Sequence, residues 1–67
     1  MDLIRVERVR RNLTQGDLAN LVGVTAGTIR RWEHGGNVPS DKLVDLSRVL
    51  DVNVDDLLTY EPVVSSK

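Results

Sequence analysis

Residues 15–34, QGDLANLVGVTAGTIRRWEH, decide the fold. Leu18, Ala19, Leu21 and Val22 fall at the i, i+1, i+3, i+4 spacing of a helix that buries one stripe. Gly23 follows directly, where a chain leaving a helix takes up a left-handed backbone. A second helix begins almost at once. Two short helices joined by so few residues form a helix-turn-helix unit.

The start signals on both sides of the turn have a mechanism. Thr14 precedes Asp17 by three residues, so its hydroxyl can accept a bond from a free backbone N–H while the carboxylate reaches back, as in a capping box. Thr25 caps the next helix in the same way, without an acid at Thr28 to complete the box. Leu13 with Leu18, and Val24 with Ile29, have the spacing of hydrophobic staples.

Working outward, Leu3, Val6 and Val9 lie three apart with Leu13 four further on, so residues 2–11 read as a first helix that turns this stripe inward and its arginines outward. Asn12 sits where a left-handed residue would stop that helix. Beyond the helix-turn-helix, Gly35, Gly36, Asn37, Val38 and Pro39 make a loop. Ser40 is expected to cap a fourth helix with Leu43, Leu46, Val49 and Leu50 on its inner face. Asn53 is expected to cap a fifth, with Val52 stapled to Leu57. The reading is therefore an all-α, five-helix domain over residues 1–60, followed by a flexible tail over residues 61–67, where Pro62 blocks continuation.

Composition narrows the function. A chain of 67 residues is one small domain, and with no cysteine it has neither disulfides nor thiolate metal sites. One histidine argues against a metal cluster, and no motif for nucleophilic catalysis or phosphate cradling is present; no enzyme activity, cofactor or metal is expected. The absence of a long apolar run and of a signal-peptide core predicts a soluble, cytoplasmic protein. Net charge is −1, which on its face argues against a nucleic-acid partner. The distribution reverses that impression. Residues 1–36 carry six basic and four acidic side chains, residues 37–67 three basic and six acidic, so the basic half contains the helix-turn-helix.

LTQGDLANLVGV, TIRRWEHG and NVPSDKLVDLSRVLDVNVDDLL together resemble the Xre/Cro family of phage-repressor-like helix-turn-helix proteins, across residues 3–58. The joint match of Thr14-Gln15, Ala19, Gly23, Ile29, Glu33 with Gly35, Pro39-Ser40 and Leu57-Leu58 carries the resemblance. It implies a lambda-repressor-like fold and a transcriptional regulator, a repressor in function, that binds a pseudo-palindromic double-stranded operator as a homodimer. It also implies a phosphate contact from Gln15 and a salt bridge between Arg8 and Glu33 that ties the first helix to the third.

In the third helix Ile29 and Trp32 are expected inside, leaving Ala26, Gly27, Arg30, Arg31 and His34 facing out toward a major groove. Arg30 or Arg31 can pair bidentately with guanine. Thr25, Thr28 and Asn37 complete the candidate DNA-binding set. Two features depart from the family: Ala26 and Gly27 stand where long polar readers are usual, and the loop Gly36-Asn37-Val38 lacks the usual basic residue. Readout then shifts onto Arg30 and Arg31, affinity per monomer is modest and the salt dependence shallow. These departures favour a rival, a protein-interaction or coactivator module that keeps the fold without reading bases. The dimer surface is expected around the fifth helix and Val63 and Val64.

Overall fold

The computed structural model describes residues 2–59 as five helices: α1 (Asp2–Arg10), α2 (Gln15–Val22), α3 (Ala26–Glu33), α4 (Ser40–Leu50) and α5 (Val54–Thr59). No strand occurs among the described residues. The all-α reading holds. Residues 60–67, including the predicted tail with Val63 and Val64, lie outside the described residues.

Helices α2 and α3 start where the sequence signals place them. Thr14 Oγ1 accepts from the Asp17 N–H at 3.0 Å and Asp17 Oδ2 accepts from the Thr14 N–H at 3.0 Å, a complete capping box. Thr25 Oγ1 accepts from the Thr28 N–H at 3.2 Å. Ser40 is a correction: the cap position of α4 is Pro39, without a side-chain bond, and Ser40 is the first helical residue. Proline's restricted φ, here −60°, sets the entry into the helix instead of a hydroxyl.

The helix ends share one device. Asn12, Gly23, Gly35 and Asp51 take positive φ of 56°, 76°, 104° and 54°, each just beyond a helix. The next residue's N–H then folds back: Leu13 donates to the Arg8 carbonyl, Val24 to Ala19, Gly36 to Arg31 and Val52 to Ser47, all at 2.9–3.0 Å. This is the Schellman closure, which satisfies carbonyls that the helix leaves free. In three of the four links an apolar residue and the start of the next helix follow directly: Asn12-Leu13-Thr14, Gly23-Val24-Thr25 and Asp51-Val52-Asn53. Val24 and Val52 are half-buried against the core, so each link both stops one helix and anchors the next.

Ile4, Leu18, Ile29, Leu46, Leu50 and Leu57 are fully buried, drawing at least one residue from every helix. Trp32 joins them, as expected of a core rather than a stacking residue. The inward face of α1 differs from the sequence reading. Val6 and Val9 are 40% and 54% exposed, whereas Leu3, Ile4 and Glu7 are buried. Arg8, one residue on, also points inward with a side chain only 13% exposed. The helix is rotated so that this charged edge meets α3, which leaves the valines on the opposite face. Leu21 is likewise 57% exposed, because Leu18, Ala19 and Val22 already fill the inner face of α2.

Candidate nucleic-acid interface

On α3 the hydrophobic stripe dictates the rest. At about 100° per residue, Ile29, Trp32 and Glu33 share one side, and all three are buried. Gly27 and Arg31 then fall on the line opposite them, with Arg30 to one side and Ala26 on the flank nearer Glu33. Ala26, Gly27, Arg30, Arg31 and the capping residue His34 are all exposed, as the sequence predicts. Asn37 is exposed in the loop that follows. Thr28 is half-buried and turned to the far flank of the helix. Its hydroxyl lies 3.0 Å from that of Thr25, so the two groups share one proton and leave a single O–H free between them.

The arginines divide by what they are already doing. Arg10 and Arg11 both clasp the buried carboxylate of Glu7 one turn earlier on α1. Arg8 is taken up by Glu33. Among the described residues, Arg5, Arg30, Arg31 and Arg48 form no ion pair. Arg30 and Arg31 therefore have guanidinium groups available, on the exposed face of α3.

Behind α3 lies a buried polar cluster that fixes its position. Arg8 Nε donates to Glu33 Oε2 at 2.6 Å, and its terminal nitrogens reach Glu33 Oε1 at 3.3 Å and the Leu13 carbonyl at 2.8 Å. This is the bridge that the family resemblance implies. Gln15 Nε2 adds a further bond to Glu33 Oε1 at 3.1 Å. One carboxylate thus joins the middle of α1, the first turn of α2 and the end of α3. Burial pushes the Glu33 carboxyl up, but bonds from Arg8 and Gln15, with the positive fields of Arg8 and Arg5, outweigh it and hold the group below its ordinary value of 4.5. Because a carboxylate only accepts, it must face the amide nitrogen of Gln15, whose second N–H remains for an external acceptor. No buried side-chain nitrogen or oxygen among the described residues lacks a partner.

Two positioning residues escape the sequence reading. Lys42 Nζ donates to the Val22 carbonyl at 3.0 Å, closing the end of α2 from α4 and complementing the negative end of its dipole. A lysine in the first turn of a helix carries no local sign that it reaches back across the fold. Gly36 packs against Arg31: a side chain at position 36 would place its Cβ 3.0 Å from Arg31 Cγ and 3.0 Å from the Arg31 carbonyl oxygen. The glycine lets the chain cross tightly under the Arg31 stem, a pairing across five residues that the loop motif does not reveal.

A family model described as helix-turn-helix matches residues 4–57. A segment of the type II methyltransferase M1.ScrFI of Lactococcus lactis subsp. cremoris is 41% identical over an alignment of 51 residues that covers 72% of this chain. The chain spans 13% of that methyltransferase's length.

Proposed function

Because this chain belongs to the Xre/Cro-like helix-turn-helix family of DNA-binding proteins, we propose that it is a sequence-specific transcriptional regulator, acting as a repressor, that binds a pseudo-palindromic operator as a homodimer. Residues 26–34 enter the major groove. The observation that carries this reading is the pair of exposed, unpaired guanidinium groups of Arg30 and Arg31 on the outer face of α3, while Arg8, Arg10 and Arg11 are already held by acids.

In this reading each reader takes guanine O6 and N7. Gln15 gives its second amide N–H to a phosphate at the first turn of α2, where the helix dipole favours an anion. Thr25, His34 and Asn37, all exposed, border the groove-facing helix and take backbone oxygens. Two copies set their α3 helices in successive major grooves, about 34–36 Å apart. The exposure of Leu58, at 59%, supports a dimer surface around α5, where Asp55 and Asp56 keep that end off the phosphates.

Selection from random duplex DNA, followed by titration of Arg30→Ala and Arg31→Ala, tests the proposal. A palindrome should be enriched, and each variant should lose about 1–3 kcal/mol on it. If both variants bound as tightly as the parent, the reader assignment would fail. No enrichment even at low salt would instead favour a protein-interaction module.

A further inference from the structure

The outer line of α1 is apolar where water would favour charge. At about 100° per residue, Val6 and Val9 lie about 60° apart on the side opposite the fully buried Ile4, with Arg10 beyond Val6 and Arg5 beyond Val9. All four are exposed. Arg10 meets Glu7 at 3.3 Å but keeps most of its side chain in solvent. The helix therefore presents two valines flanked by positive charge. The short α5 presents the reverse. Leu57 turns into the core, which leaves Leu58 exposed one position on. Asp55, three residues before Leu58, lies on the same side of the helix, and Asp56 is exposed further round.

Neither face is suited to cover a copy of itself. Setting α1 against a second α1 brings arginines to arginines, and setting α5 against a second α5 brings carboxylates to carboxylates, each around an apolar contact. Setting α1 against α5 buries the valines on Leu58 and brings arginine to aspartate. We propose that the outer face of α1 is covered by α5 of a second copy of this chain, while its own α5 covers α1 of that copy. Two-fold symmetry repeats such a contact once, so the pair closes as a dimer. The inference rests on the homodimer proposed above and names the surface that covers α5 within it.

Sedimentation equilibrium of the 67-residue chain tests this, with two single variants at exposed helical positions. Val9→Glu sets an acid against Asp55 and Asp56, and Leu58→Lys sets a cation against Arg5 and Arg10. Glutamate and lysine are good helix formers, so both variants should fold, which circular dichroism checks. Each alone should dimerise at least about tenfold more weakly than the parent, since like charges then meet at the contact. An equimolar mixture of the two should recover most of the parent's affinity: in the mixed dimer one contact sets the new acid against the new cation, and the other is unaltered. If either variant alone dimerises as tightly as the parent, or the mixture is no tighter than the single variants, the inference is overturned while the homodimer stands. A parent chain that stays monomeric both free and on its selected operator overturns the homodimer itself.

Discussion

Replacing Arg8 with methionine should unfold most of the protein, and the structure gives the magnitude. The Arg8 and Glu33 side chains are 13% and 3% exposed, and Arg8 supplies two of the three side-chain bonds that Glu33 accepts. Arg8→Met would leave a buried carboxylate with only the neutral Gln15 amide. Stranding one member of a buried pair costs about 3–5 kcal/mol. A domain this small has about 3–5 kcal/mol in total, so the single variant has almost none left. Glu33→Gln should be milder, at about 1–3 kcal/mol, since the Arg8 guanidinium keeps the Leu13 carbonyl. The double variant Arg8→Met/Glu33→Leu removes both charges and should return to within about 1 kcal/mol of the parent, because apolar replacement of a buried pair is often neutral. Urea titration followed by fluorescence of the single tryptophan, Trp32, reads all of these. With a slope of about 1 kcal/mol per molar urea, Arg8→Met should lower the midpoint by about 3 M or more. A shift of less than about 1 M in the single variant would refute the reasoning. The same cluster sets an acid limit. Glu33 is held below 4.5 in the folded state, so its contribution is complete above that pH and is lost as pH falls through the lower folded value. The parent should weaken on acidification below about 4.5, and Glu33→Gln should show a flatter profile.

Four further outcomes follow from backbone and packing. Asp51→Gly should raise stability by about 0.5–1 kcal/mol in urea titration, because Asp51 carries a side chain at a φ of 54° that glycine adopts freely. Gly23→Ala, at a φ of 76° in the turn between α2 and α3, should lower it by about 1 kcal/mol or more. Lys42→Met should cost about 1 kcal/mol by releasing the Val22 carbonyl, and amide exchange should quicken at the end of α2 before it does in α1. Gly27→Ala should stabilise by about 0.5–1 kcal/mol, since its Cβ has room in an exposed helix; a lower urea midpoint would contradict that open space.

Features set by neighbouring residues are legible in the sequence. The capping box of Thr14 and Asp17, the cap at Thr25, and the left-handed Asn12 and Gly23 all depend on groups within a few residues of one another. The exposed face of α3 was equally legible, because Ile29 and Trp32 leave only one way for a helix of that length to turn. The face of α1 was not. Leu3 belongs both to a stripe with Val6 and Val9 and to an edge with Ile4 and Glu7, and apolar spacing alone prefers the first. The second is the one buried, with Ile4 in the core and Arg8 alongside it meeting Glu33 from 25 residues away.

By itself, then, the sequence determined where α2 and α3 begin and which surface of α3 faces outward, since capping, turn chemistry and a single hydrophobic stripe act over one or two turns. Only the tertiary structure decided what stands behind and beside that surface. The rotation of α1, the attachment of Gln15 to Glu33, the reach of Lys42 to Val22 and the seating of Arg31 on Gly36 all require elements brought together from separate parts of the chain or around a turn. Neither periodicity nor propensity encodes the distance between them; packing of the common core sets it.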